Sequence, residues 1–470
     1  MRRSMKRMSA AALSAILAGS LLAGCGSSSS TSTSTSSDAA AEETTTEAAA
    51  EETTDSAAED STTTDHTAAT TDQIGEPNGG EEVTLWHYFE HEAEALNAVI
   101  KEYNESQSEI YIVPTYVSRE ELMKQYTIGA VSGDLPDIGM VDSPDMSSYI
   151  SLGVFADITE YLNGWGDLDQ FYDGPLSSCM DSEGNLYGLP NNSNCLAILC
   201  NMDLLNAAGV EPPTTWEEFM DVCEKTTDAA NGVYGFAMCA ISNEEGTFQF
   251  IPWLYGAGGS VGDIDSAEAV TAVSFLGDLV EKGYMSNEVV NWGQGDALNA
   301  FVAGKAAMLE SGTWHISQLD GDLKDDVNFE YKYIEMPSYN GNQATVIGGE
   351  NFGVCSSSKH VAECADFLMF MQTAQNNADW CEIAGKLPVR KDAVELKDFW
   401  TEDERYKVFN DSLNFAVARG PHPQWPTISE AVWTAEQAVI LGQSSAEDAL
   451  AQAATVIDPI VAETPLPETD

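Results

Sequence analysis

From Val83 onward, short apolar runs alternate with stretches in which apolar residues recur every three or four positions. Val83 to Tyr88 is a β-rich run, and Leu96, Val99, Ile100 and Tyr103 follow at helical spacing. Ser118-Arg119-Glu120-Glu121 has the form of a capping box and opens a helix with Leu122 and Tyr126 on one face. Asp134-Leu135-Pro136-Asp137 then turns the chain into a strand from Ile138 to Val141. Thr215-Trp216-Glu217-Glu218, just after Pro212 and Pro213, caps a helix through Phe219, Val222 and Cys223. Leu450, Ala453, Ala454 and Ile457 mark a last amphipathic helix. Alternating β and α units predict parallel-rich sheets covered by helices on both faces. Roughly 380 residues of such pattern require two lobes.

The first 82 residues follow a different rule. Arg2, Arg3, Lys6 and Arg7 precede an apolar run from Ala10 to Leu22, a signal-peptide layout too short for a bilayer span of about 20 residues. Leu22-Ala23-Gly24-Cys25 resembles the bacterial lipobox, in which the Cys takes a diacylglyceryl group and becomes the mature N-terminus. Residues 26–82 are rich in Ser, Thr, Ala and Glu and almost devoid of large apolar side chains. Such a segment cannot offset its ordering entropy, which predicts a disordered tether.

Charge and cysteine content narrow the partners. The chain has 20 Lys plus Arg against 76 Asp plus Glu. The 14 acids of residues 26–82 and the four leader cations leave −46 of the −56 net charge on residues 83–470. Nucleic acid and anionic lipid are poor partners for a surface so charged. Eight cysteines besides Cys25 lie in the exported part, where disulfides are permitted. Cys195 and Cys200, however, would stand on opposite faces of one strand about 17 Å apart, too far to bridge. Free buried thiols are the expectation, and no C-x-x-C spacing suggests a metal or redox role.

Several blocks resemble the family 1 extracellular solute-binding proteins, the group that includes the maltose-binding protein. They run in order from Ser132-Gly133-Asp134-Leu135-Pro136-Asp137-Ile138, through Tyr187-Gly188-Leu189-Pro190 and Asn201-Met202-Asp203-Leu204-Leu205, to the cap at Thr215. Phe301-Val302-Ala303-Gly304-Lys305-Ala306-Ala307-Met308 with Ser311-Gly312-Thr313-Trp314, Leu387-Pro388-Val389-Arg390 and Ala446-Glu447-Asp448-Ala449-Leu450 complete the series. The resemblance covers about Val83 to Ile460. It implies an α/β, two-lobed periplasmic-binding-protein type II fold with a ligand cleft between the lobes. Lobe 1 would comprise residues 83–192 and 337–396, lobe 2 residues 193–336 and 397–462, and 463–470 a tail. Within the blocks, Gly188, Gly209 and Gly304 read as scaffold positions needing φ > 0 or close backbone approach.

The resemblance also implies the partners: a carbohydrate ligand, the permease subunits of an ABC importer, and the membrane through lipid on Cys25. A monomer without cofactor or metal is expected. A neutral sugar needs flat apolar faces and planar polar groups. Trp314 occupies the position where family members place a cleft aromatic. Trp86, His87, Tyr88 and Glu90 close the first strand, at the end where open α/β sheets bind ligands. Asp142 and Ser143 close the strand from Ile138. Asn194 lies at the first crossing between lobes, near 191–194, with the return near Pro337. Trp253 and Tyr255, Glu350 and Asn351 after Gly348-Gly349, and Trp425 between two prolines complete the candidates. The charge keeps a polyamine or peptide ligand as the alternative.

Catalytic motifs fare worse. His87-Tyr88-Phe89-Glu90-His91 fits H-x-x-E-H, but on an extended segment its imidazoles would be about 13 Å apart, beyond one metal ion. Gly258-Gly259-Ser260-Val261-Gly262 fits G-x-S-x-G without the strand and helix that an elbow needs. A glycoside hydrolase carboxylate pair stays open as a minor alternative, since chance pairs abound in so acidic a chain.

Overall fold

A computed structural model describes residues 66–466 of the chain. The leader, Cys25 and the tether as far as residue 65 lie outside the described residues, as do the last four positions.

Two sheets organise the described chain. The strands are β1 (Thr67–Ala68), β2 (Glu81–His87), β3 (Ile110–Tyr116), β4 (Ile138–Asp142), β5 (Gly188–Pro190), β6 (Leu196–Asn201), β7 (Tyr234–Ala237), β8 (Ala306–Gly312), β9 (Tyr331–Ile334), β10 (Thr345–Ile347), β11 (Glu350–Val354) and β12 (Ala416–Ala418). The first sheet has the order β1-β3-β2-β4-β11-β5, the second β7-β8-β6-β9, and β10 pairs with β12 apart from both. In the first sheet β2 runs parallel to β3 and β4, while β11 is antiparallel to β4 and β5. The chain passes from the first sheet to the second between Pro190 and Leu196 and returns between Ile334 and Glu350. A third passage brings the helix Glu404–Ser412 against β6 and β9, and then β12 against β10.

Local physics accounts for the elements. β6 is buried at every position, as expected of a strand covered on both faces. The helix Ala93–Ser106 buries Ala95, Leu96, Val99, Ile100 and Tyr103, the stripe read from the sequence. Thr215 caps the helix Trp216–Thr226 by accepting from the Glu218 N–H at 3.2 Å. The capping box at Ser118 does not form. Ser118 sits at the N-cap of the helix Arg119–Ser132 without a side-chain cap bond, and Glu121 instead receives Gln125 at 2.6 Å and Lys124 at 3.1 Å. Gly209 and Gly304 have φ of 70° and 67°, and a Cβ on Gly188 would lie 2.3 Å from the Phe352 carbonyl oxygen.

The tether expectation needs correcting at its end. Residues 66–82 are ordered: Thr67 and Ala68 pair antiparallel with the edge of β3, and β2 begins at Glu81. Ile74 is buried, the Tyr111 hydroxyl donates to the Gly75 carbonyl at 2.6 Å, and the Asn78 amide donates to the carbonyls of Asn104 and Ile110. Composition misses this because one buried Ile and one well-placed Asn anchor the segment, with no apolar stripe needed.

All eight cysteines of the folded part are buried free thiols. Trp253 belongs to the core of the second lobe rather than to a ligand, enclosed by Phe219 at 5.4 Å, Phe236 at 5.8 Å and Phe275 at 5.4 Å between ring centroids. Its indole N–H donates to Glu310 at 3.2 Å, and that carboxyl and Glu436 are both fully buried. Burial pushes both well above the ordinary carboxylate range, with the charge of Glu310 adding to the effect at Glu436. A raised pKa in the folded chain means that stability falls as pH rises above the unfolded value of about 4.3. Glu436→Gln should therefore match the parent near pH 4 and unfold later at pH 8, by more than about 1 kcal/mol, in thermal unfolding followed across that pH range.

Candidate functional site

The carboxyl end of the first sheet and the segments that precede β6 and follow β7 and β8 of the second enclose a cavity of about 490 Å³. Each wall residue is placed by the end of an element. β2 runs out into Tyr88, Phe89, Glu90, His91 and Glu92, and the helix Arg119–Ser132 begins with Arg119. β4 ends on Asp142 and β11 begins at Glu350. Opposite them stand Glu244, Glu245 and Phe248 of the helix Glu244–Gly256, then Asp296 and Asn299 of the helix Gln294–Val302. Trp314, His315 and Gln318 follow β8, Asn194 and Arg419 come from the crossing segments, and Lys386 follows the helix Ala374–Ala384.

Of the residues named from sequence, Tyr88, Glu90, Asp142, Asn194, Trp314 and Glu350 line this cavity. The others sit elsewhere for identifiable reasons. Trp86 lies before the strand's end and stacks on Tyr126 at 6.3 Å between centroids. His87 is buried against Phe89 and Tyr116, where burial lowers its pKa to about 4. Ser143 and Asn351 line a separate crevice of about 170 Å³, and Asn351 donates to Ser178 at 2.9 Å. The Tyr255 hydroxyl faces the Val261 N–H. Trp425 backs the wall, donating to Glu244 at 3.0 Å. Gly258 to Gly262 follows a helix rather than a strand, which removes the elbow reading.

Charge pairing dominates the cavity. Asp142 accepts Arg119 at 2.6 Å and both terminal nitrogens of Arg419 at 3.0 Å, and Arg419 also reaches Glu244. Three of the roughly four acceptor positions of Asp142 are thereby used, so its main duty is structural. Burial pushes this carboxyl up, but the guanidinium groups of Arg419 and Arg119 outweigh it and hold it at about 2. Neighbouring Asp145 moves the other way, to about 8, through burial and the charges of Glu244 and Asp142. Lys386 pairs with Glu92 at 3.2 Å and lies 3.9 Å from Glu350, which accepts the Asn192 amide at 2.6 Å.

Each of these cations also covers an aromatic ring. Arg119 stands 5.1 Å over Tyr88, Lys386 4.8 Å over Trp314 and Arg419 4.4 Å over Phe248. The Trp314 indole lies against Gly312, where a Cβ would come within 1.9 Å of the ring. Seven carboxylate side chains and three cationic ones line the cavity. Glu90, Glu245 and Asp296 make no ion pair among the described residues. His315 stays neutral, its pKa lowered by burial to about 3.

Arg119, Lys386, Arg419, Glu244 and Phe248 were not named from sequence. The available signal was scarcity: with so few cations in the chain, an Arg directly before Gly420-Pro421 or a Lys directly before Leu387-Pro388 stands out.

Two α/β lobes joined by repeated crossings around a polar cavity are the arrangement of two-lobed solute-binding proteins. Residues 98–408 match the family described as bacterial extracellular solute-binding protein, and the chain belongs to it. A putative binding protein of Brucella abortus is 22% identical over 352 residues, 72% of this chain and 83% of its own length. The sn-glycerol-3-phosphate-binding periplasmic protein UgpB of Brucella melitensis is 25% identical, covering 67% of this chain and 76% of its own. Among solved structures, an ABC transporter solute-binding protein of Thermotoga lettingae bound with α-D-tagatose superposes with a TM-score of 0.75 at 25% identity, over 81% of this chain and all of its own. The two-lobed fold expected from sequence is the one that solved structures of such binding proteins share. No helix of the described residues is long and apolar enough to cross a membrane.

Removing the carboxylate from between two buried guanidinium groups should be costly. Asp142→Asn is expected to lose about 3 kcal/mol in denaturant unfolding at pH 7. The loss should shrink as pH falls from about 4 to about 2, because a depressed pKa contributes stability only above that window.

Proposed function

We propose that this protein is the lipid-anchored capture component of an ABC importer for a neutral carbohydrate, acting outside the cytoplasmic membrane and without catalysis of its own. The observation that carries the reading is the charge pairing of the cleft: all three cations hold protein carboxylates, and three further carboxylates stand unpaired. Such a wall offers many acceptors for hydroxyl groups and no free cation for a phosphate or carboxylate. The volume falls within the usual range of roughly 300–1,000 Å³ for small-molecule sites. Aromatic edges from Tyr88, Phe248 and Trp314 supply apolar contact for sugar C–H surface. The tagatose complex of the Thermotoga relative supports a sugar, whereas the glycerol-3-phosphate ligand of UgpB fits this charge pattern poorly. A second reading, an amine-bearing solute such as a polyamine, rests on Glu90, Glu245 and Asp296.

A thermal-shift panel separates these readings. The cognate sugar at a hundredfold over its Kd should add about 2.7 kcal/mol of stability, with sn-glycerol-3-phosphate giving no shift. A shift with spermidine and none with sugars would establish the second reading. Trp314→Ala should weaken binding of the cognate sugar about 30-fold, or about 2 kcal/mol, in titration calorimetry while the fold persists. Unchanged affinity would make Trp314 a core residue.

The anchor is read from Leu22-Ala23-Gly24-Cys25. Cells fed an alkyne fatty acid should label the parent chain and fail to label Cys25→Ala. Equal labelling of both would end the lipid-anchor reading.

A further inference from the structure

The three passages between the sheets converge on one place. Asn192 of the first, Ile347 to Gly349 of the second and Ala418 to Pro421 of the third all line the crevice of about 170 Å³ behind the cleft. Arg419, immediately after β12, lines both this crevice and the cleft. Any rotation of one lobe against the other must be absorbed by these short segments.

Arg419 is bonded to both lobes at once. Its two terminal nitrogens form a fork on Asp142, the last residue of β4 in the first sheet, each at 3.0 Å. One of them also reaches Glu244, the first residue of the helix Glu244–Gly256, whose Phe250, Trp253 and Leu254 belong to the core of the second lobe. Each carboxylate is held from behind, Asp142 by Arg119 and Glu244 by the indole N–H of Trp425. The guanidinium carbon stands 4.4 Å from the centroid of the Phe248 ring. The side chains of Arg419, Asp142 and Glu244 are 3%, 7% and 9% exposed.

We infer that Arg419 is a latch that sets the closure equilibrium of the two lobes, a positioning residue for solute capture. Opening the cleft separates Asp142 from Glu244, and the single guanidinium between them cannot follow both. One carboxylate must be given up, which leaves a desolvated charge without its partner until water enters. Because the pair is buried, salt screens it weakly, so the bias toward closure persists across ionic strength. Solute affinity then contains the population of the closed form as a factor, and a change in that population changes affinity without altering a solute contact. This inference rests on the two-lobed fold and not on which solute is carried.

Hydrogen exchange of the intact protein, measured without any solute, tests it. Arg419→Gln should speed exchange of peptides spanning the three crossing segments about tenfold relative to the parent. Peptides from the sheet cores, such as those covering β4 and β6, should keep their protection. Glu244→Gln, which frees only the second-lobe end, should speed the same peptides, and Arg419→Lys, able to hold one carboxylate at a time, should fall between. Affinity for whichever solute the thermal panel identifies should drop about tenfold in Arg419→Gln, with little change between 50 mM and 500 mM salt. Parent-like exchange at the crossings in both Gln variants would overturn the latch, and so would faster exchange spread evenly over both lobes. Neither outcome would bear on the sugar reading, which the thermal panel decides separately.

Discussion

A carboxylate at the end of one strand, held from two sides by guanidinium groups, organises the centre of this molecule. Asp142 cannot be buried as an anion unless its charge is answered, and Arg119 and Arg419 answer it from different parts of the chain. Because one of those cations lies on a crossing segment, the electrostatic requirement of a single lobe becomes a connection between two. Glu244 extends the connection into the second lobe, and Trp425 fixes Glu244 in turn. The cleft wall is thus a continuous chain of charge and hydrogen-bond pairs, against which any solute must compete or fit.

The same wall explains what the cavity offers. In a chain this acidic, cations are scarce, and those present in the cleft are already paired and lie over aromatic rings. A solute therefore meets oxygen acceptors, aromatic edges and neutral imidazole. Burial keeps His315 uncharged at any ordinary pH. Buried Asp145, by contrast, is held well above the ordinary carboxylate range by burial and by the charges of Glu244 and Asp142.

Periodicity made the scaffold legible. β2, β4, the helix Ala93–Ser106 and the cap at Thr215 all stand where apolar spacing and turn residues put them. The site was legible where it coincided with strand ends, as at Tyr88, Asp142 and Glu350, and where the family resemblance placed it, as at Asn194 and Trp314. Trp253 and Trp86 show why ring-bearing residues mislead: an indole satisfies a core as well as a ligand, and only its neighbours in space decide. The ion pair of Arg419 with Asp142 joins residues 277 positions apart, and no local pattern encodes so distant a partner. Ser118 illustrates the reverse error, a correct helix start without its expected capping bond, while Glu121 is engaged by Gln125 one turn further on.

The position of β11 bears on how the chain can be assembled. This strand lies inside the first sheet, between β4 and β5, yet about 160 residues separate it from β5 in sequence, and every strand of the second sheet falls in that interval. An N-terminal portion ending at Pro190 would leave β4 and β5 without the strand that joins them. The first lobe therefore cannot complete its sheet until the second has been synthesised, and early collapse of a partial domain has little to gain. Closing that sheet carries the loop-closure entropy of the whole second lobe, so the pairing of β11 with β4 and β5 is a long-range contact that comes late in folding.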